Sequence, residues 1–303
     1  MRRATAILGG LAALAGAGLV QAQEVGGPPP AAASQAMAAA VTDWRTVPAA
    51  NLLVIDTNRG RILIEMAPEV APGHVERIRL LARAGFFDGL TWHRVIDWFM
   101  AQTGDPLGNG EGQSPYPDLS AEFTFRRDAS VPFTAVAAPA GALVGFLHSL
   151  PVQTQPDVAM SLTADGKVHG WGLYCPGVAG MARDEGNDTA NSQFFLMRQA
   201  YPALDKRYTV WGTVVSGLDV VRALKSGAGD NGMVTADPDR MTRVRVAADL
   251  PEVGRPVVRV LDTESAAFRT LADQVRQSRG ADFSVCDITL PVEVSQAQVP
   301  TGG

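Results

Sequence analysis

Arg94 stands in TWHRVIDWFMAQTGD, residues 91–105, among two tryptophans, a valine, an isoleucine, a phenylalanine and a methionine. A guanidinium keeps its proton in any protein site, so this one must reach water, pair with an acid, or face a molecule that visits. Gln102 follows with Phe99 and Met100 close by, and a further aromatic pair, Phe194 and Phe195, lies downstream in a segment that also reads as a strand. Together they describe an apolar slot with one fixed cation and one amide at its edge. A fixed cation in such a setting can favour a redistribution of charge in a molecule that visits, with no covalent step.

Other chemistries lack their residues. There is no G-x-S-x-G elbow, no H-E-x-x-H and no Walker glycine pattern, the four histidines are scattered, and the two cysteines are not spaced C-x-x-C. The glycine-rich stretch GDPLGNGEG, 104–112, is followed by Pro115 and Pro117 rather than by a helix, so it reads as a flexible loop and not as a phosphate cradle. No metal site and no cofactor is expected.

The elements that must position Arg94 are mostly short strands. Runs at 52–56 and 61–66 flank Asn58-Arg59-Gly60, which is hairpin chemistry, with one face buried and the other mixed. Val75, Ile78, Leu81 and Ala82 fall at helical spacing in 71–84, and His74 is expected to be a solvated first-turn residue. Residues 91–101 return to strand character, and alternation puts His93 on the face opposite Arg94, as a structural histidine. Trp92 is expected in the core. Strand-like pieces recur at 142–147 and 158–162, and again in GLYCPGVAGMARDEGNDTANSQFFLM and YTVWGTVVSG, before a short helical piece at 218–225. Asp105 and Asp205 are read as turn and cap residues. Past Pro238 come RVRVAADL, VVRVL, a helix over 265–279 and a final strand over 288–294. Short strands, few helices and frequent turns predict a mainly β barrel or sandwich.

The termini and the charge bound the setting. Arg2 and Arg3, an apolar run over 6–20 and small residues at 20–22 read as a signal peptide cleaved after Ala22. The run is shorter than the roughly 20 residues of a spanning helix. An exported, periplasmic protein with no membrane attachment after cleavage is expected. A Pro/Gly/Ala linker follows, over 23–43. The net charge of -5 and the lack of a Lys/Arg block exclude a nucleic-acid surface. Cys175 and Cys286 either form a disulfide across a long loop or remain two separate buried thiols.

Three ordered stretches, FFDGLTWHRVIDWFMAQTGD at 86–105, GMARDEGNDTANSQFFLM at 180–197 and LDKRYTVWGTVVSGLDVV at 204–221, resemble the cyclophilins, the peptidyl-prolyl cis-trans isomerases of that fold. The likeness covers roughly 51–225. It implies a closed eight-stranded antiparallel barrel capped by two helices, here at 44–237, with a long insert at about 106–179 and a small α/β extension at 238–303 packed on the barrel. Residues 133–150 are expected to add a hairpin over or beside the groove. Carried over residue by residue, the resemblance implies catalytic Arg94 and Gln102, with a proline pocket of Phe99, Met100, Phe195, Leu204 and Tyr208. Arg183 either lines the groove or pairs with Asp184 or Glu185. The expected partner is a Pro-containing segment of an unfolded or exported protein, and the expected state is a monomer. The alternative is a non-catalytic module of the cell envelope that binds Pro-containing peptides. Tyr208 stands where many members have histidine, Ala203 where many have a tryptophan that contacts cyclosporin, and Thr103 where a glycine is common.

Overall fold

The computed structural model describes residues 41–228 and 231–297. The expected signal peptide and the expected linker up to residue 40 lie outside the described residues. A 3-10 turn at Val41–Asp43 leads into β1 (Trp44–Thr46), β2 (Leu52–Thr57), β3 (Gly60–Met66), helix α1 (Pro72–Arg83), β4 (Arg94–Val95) and β5 (Met100–Thr103). The middle of the chain supplies β6 (Phe125–Arg127), β7 (Phe133–Ala137), β8 (Leu143–Leu147), β9 (Leu150–Thr154) and β10 (Val168–Gly172). Then follow β11 (Val178–Met181), β12 (Phe194–Met197), β13 (Val210–Ser216), helix α2 (Leu218–Ala223), β14 (Met241–Val246), β15 (Pro256–Leu261), helix α3 (Ala266–Arg279) and β16 (Val292–Gln296).

The eight-stranded sheet runs β14-β2-β3-β13-β11-β12-β5-β4, and every neighbouring pair in it is antiparallel. As a ladder it is open between β4 and β14, where a fully closed barrel is expected. Backbone bonds between the segment before β4 and the start of β14 draw the two edges together: Gly89 N–H to Met241 O at 2.7 Å, Trp92 N–H to Asp239 O at 2.8 Å and Met241 N–H to Leu90 O at 2.9 Å. Residues 241–246, expected in the carboxyl-terminal extension, therefore belong to this sheet as β14, because their backbone completes β2 from Met241↔Thr57 to Val246↔Leu53. Val178 and Ala179, expected at the end of the insert, likewise open β11 of the same sheet.

Alternation explains the packing. Leu53, Ile55, Ile62 and Ile64 point inward with Val75, Ile78 and Leu81 of α1, around Phe87, Trp92, Phe194 and Trp211. The Phe194 ring meets the rings of Phe87, Trp92 and Trp211 edge-on at centroid distances of 5.5, 6.2 and 5.5 Å. The other face of the β2–β3 hairpin, Leu52, Val54 and Leu63, is also buried, under Val258 and Val260 of β15. That face looks mixed in sequence because its cover comes from a strand about 200 residues away. Both sides of the hairpin are thus core, and each fully buried aliphatic there stabilises the fold by about 1.5–3 kcal/mol.

His74 is not solvated. It is fully buried, and its Nδ1 lies 2.6 Å from Glu122 Oε2. The same carboxylate accepts the N–H groups of Gly73 and His74, each at 3.0 Å. Glu122 therefore caps the free N–H groups that open α1, a task its N-cap residue Ala71 has no side chain to perform. Burial pushes the Glu122 carboxyl up, but the His74 ring and the two N–H donors outweigh it and hold it below its ordinary range.

The insert forms a second sheet, β6-β10-β9-β8-β7, and β1-β15-β16 form a third. The hairpin expected within 133–150 is present as β7–β8, with Phe133 opposite Leu147. Helix α3 starts at its Ser265 cap, whose hydroxyl accepts the Phe268 N–H at 3.0 Å, and it buries Phe268 against Phe146 of β8 at 5.6 Å. The last strand begins at Val292, later than the expected 288, because Val285–Asp287 close a 3-10 turn held by Ser284 and Asp287. Cys175 and Cys286 are bonded, with Cα atoms 5.1 Å apart across 111 residues of sequence. All three sheets meet at Arg45 of β1. It donates from Nη1 and Nη2 to the two oxygens of Glu65 of β3, each at 2.6 Å, and from Nη2 to Ser149 Oγ in the β8–β9 turn at 2.6 Å.

Candidate active site

The expected site residues gather along β5 and its neighbours, beside a cleft lined by Gln102, Arg183 and Gln193. Arg94 of β4 stands directly opposite Gln102 of β5, and Gln102 opposite Phe195 of β12. Arg94 is half-buried. It donates from Nε to Asn231 O at 2.8 Å and from Nη1 to Gln102 Oε1 at 3.1 Å. Gln102 Nε2 donates to Gln193 Oε1 at 2.9 Å, and Gln193 Nε2 to the carbonyls of Gly110 and Gly112 at 2.9 and 3.0 Å. Each amide in this relay has its oxygen toward Arg94 and its nitrogen away from it, so the guanidinium meets only acceptors along its tether. Among the described residues no carboxylate pairs with Arg94, and Nη2 has no hydrogen-bond partner. Burial draws the guanidinium pKa below its ordinary value, and the nearby Tyr208 opposes that shift. The group stays charged at neutral pH.

The glycine loop is ordered by chemistry, where flexibility is the expectation from sequence. The buried Asp105 carboxylate accepts the N–H groups of Leu107, Asn109 and Gly110 at 2.7, 2.8 and 2.5 Å. Burial pushes Asp105 up, but these donors prevail and keep it below the usual carboxylate range. At Gly112 a Cβ would sit 1.9 Å from Asp105 Oδ1, so only glycine lets the loop close over that carboxylate.

Phe99, Met100, Phe195, Leu204 and Tyr208 belong to one apolar cluster. Between β4 and β5 the chain makes a tight turn in which Phe99 N–H donates to Ile96 O at 3.0 Å and Ile96 N–H to Met100 O at 2.9 Å. The Phe195 ring lies edge-on to Tyr208 at 5.9 Å and stacks on Tyr174 at 5.7 Å. A Cβ at Gly180 would fall 2.5 Å from that ring, so the glycine opposite Phe195 leaves room for it. Leu204 is presented by the 3-10 turn Pro202–Leu204. Phe194, grouped with the slot from its type, faces the barrel interior instead, since its neighbour Phe195 takes the groove face.

Arg183 does not pair with the carboxylates of Asp184 or Glu185. Its guanidinium donates to the backbone carbonyls of Arg207, Asp184 and Glu185 and covers the Tyr208 ring at 4.5 Å. It lines a cleft shared with Gln102, Gly110 and Gln193. His93 is buried next to Arg94; burial lowers its imidazole pKa, and the nearby Asp105 and Gln193 oppose that shift. Thr103 is buried and its hydroxyl donates to Thr91 O at 2.8 Å, which ties β5 to the segment before β4. Gln193 is the groove residue that sequence reading passed over. The signal was available, because period-two alternation from Phe195 puts Gln193 on the same face.

These features have counterparts in known proteins. The family model described as cyclophilin type peptidyl-prolyl cis-trans isomerase/CLD matches residues 52–246. A "Probable peptidyl-prolyl cis-trans isomerase" of Brucella suis is 34% identical over 211 residues, covering 66% of this chain and 84% of that protein. Peptidyl-prolyl cis-trans isomerase B of Bacillus subtilis is 30% identical over 167 residues, covering 55% of this chain and 85% of its own. The crystal structure of the cyclophilin AquaCyp293 from Hirschia baltica superposes with a TM-score of 0.76 at 32% identity, over 84% of this chain and 95% of that one. With its curled antiparallel sheet and a family match through β14, the chain belongs to the cyclophilin-type peptidyl-prolyl cis-trans isomerases.

Proposed function

We propose that this isomerase speeds rotation about X-Pro bonds of exported proteins by holding the proline ring against Phe99, Met100, Phe195, Leu204 and Tyr208 while Arg94 stabilises the twisted amide. The observation that carries the reading is a tethered guanidinium, without a carboxylate partner among the described residues, at the rim of an apolar cluster. An X-Pro bond resists rotation by about 18–20 kcal/mol because nitrogen donates into the carbonyl. Twisting the bond localises the lone pair on nitrogen, and a fixed donor that strengthens its contact only then lowers the barrier. Gln102 and Gln193 hold Arg94 in place, and no cofactor is needed for the step.

Export rests on the amino-terminal pattern of 1–22, and the Cys175–Cys286 bond supports it, since such bonds persist in oxidising compartments. Mass spectrometry of the protein purified from its native envelope should find an amino terminus at Gln23; a retained Met1 in the soluble cytoplasm would count against export. The catalytic reading is tested with a proline-containing peptide followed through cis-trans exchange by NMR. The protein should accelerate exchange, and Arg94→Ala should lose about a hundredfold or more of that acceleration. A protein that binds the peptide with no change in exchange rate would be a binding module.

A further inference from the structure

The two ends of the groove differ in chemistry. Strand β5 carries Gln102 near one end, beside the polar cleft of Arg183, Asp184 and Gln193. Phe99, just before its other end, is three residues away, about 10 Å along an extended chain. There the Phe99 ring stacks on Trp98 at 5.7 Å and meets Tyr201 at 4.7 Å, while Trp98 and Tyr201 lie 6.3 Å apart. Trp98 is 63% exposed.

That exposure is not a loose tip. The turn bonds around Ile96, Phe99 and Met100 fix the backbone on one side, and Arg198 N–H donates to Phe99 O at 2.9 Å on the other. The Arg198 guanidinium, nearly buried, also bonds Asp97 at 2.7 Å and Ser226 Oγ at 3.0 Å. An indole already held in place loses little conformational freedom when an apolar group covers it. Phe99 belongs at once to this aromatic ledge and to the apolar cluster of the slot, so the two surfaces are continuous. A peptide seated in the slot would have a neighbouring side chain within reach of it.

We propose that Trp98, Phe99 and Tyr201 form a subsite for an aromatic or large apolar side chain flanking the proline on one side, making the protein selective among X-Pro bonds. The proposal rests on the slot being the site of proline binding. It is tested with two peptide series, one varying the residue before proline and one the residue after, each through Gly, Lys, Glu, Leu and Phe. For each, kcat/KM for cis-trans exchange is measured with the wild type, Trp98→Ala and Trp98→Phe. One series should show Phe preferred over Gly by about fivefold, as expected for one added aromatic contact. The ratio should fall toward one in Trp98→Ala and be retained in Trp98→Phe. Equal rates for Phe and Gly in both series, or a ratio unchanged in Trp98→Ala, would overturn the subsite while leaving the isomerase reading intact. No acceleration of any peptide would overturn both.

Discussion

Arg45 and Arg94 each sit among apolar residues, and their surroundings treat the charge in opposite ways. At the seam of the three sheets, Arg45 faces both oxygens of Glu65 and the Ser149 hydroxyl, with 15% and 7% of the two charged side chains exposed. At the groove, Arg94 is held by a backbone carbonyl and an amide, both neutral. Tethering without neutralisation leaves the second cation free to interact with a ligand. A charge that is cancelled within the fold serves architecture, and one that is only oriented is available for chemistry.

The seam is where substitution should cost most stability. Glu65→Ala strands Arg45 in a nearly dry site, so denaturant unfolding should show a loss of about 3–5 kcal/mol. Peptide exchange per folded molecule should stay close to wild type. A loss under about 1 kcal/mol would mean that water reaches the seam and that the contrast with the groove is weaker than drawn.

Next in size is the covalent tie beside that packing. Cys286→Ser releases the extension from Cys175, and opening so long a loop should lower stability by about 2–4 kcal/mol. Reduction of the wild type should lower its midpoint by a similar amount. An unchanged midpoint in both would show that the contacts of α3 alone hold the extension.

The smallest effect is expected at the groove's rim. The Asp205 carboxyl accepts the Tyr174 N–H at 3.0 Å, and burial pushes its pKa up to about 6 from an ordinary 3.8. Because the folded state holds this proton more tightly than the unfolded one, stability from this group is greatest below the unfolded pKa. It falls as pH rises through that window, then levels off above about 6. Relative to Asp205→Asn, the wild type should lose about 1 kcal/mol across the window, a figure reduced for partial solvent screening. Denaturant titrations at several pH values would read this, and parallel profiles would show Asp205 to be well solvated.

Much of this arrangement was legible from local pattern. The β2–β3 hairpin, α1 and α3 follow from alternation, helical spacing and the Ser265 and Gly280 boundaries, since those signals act over a few residues. What escaped depends on distant partners. Glu122 reaches His74 from 48 positions away, and Arg45 reaches Ser149 from 104, so neither burial shows in a window of sequence. The same reason hid the role of 241–246, whose alternation announces a strand but not that β2 is its neighbour. In the groove, Arg94, Phe99, Met100 and Gln102 could be picked out because they share one short stretch. Gln193, just before β12, shares the face of Phe195, but an amide announces no chemistry until its partners are known.

The central claim is that Arg94 is oriented for chemistry rather than built in for support, and one sample of Arg94→Ala measured twice tests it most directly. Denaturant unfolding should find its stability within about 1 kcal/mol of wild type, as for a partly exposed side chain with neutral partners. Peptide exchange on the same sample should find the acceleration reduced about a hundredfold or more. Full acceleration, or a loss of stability as large as that of Glu65→Ala with the rate per folded molecule retained, would contradict the account and make Arg94 a second structural arginine.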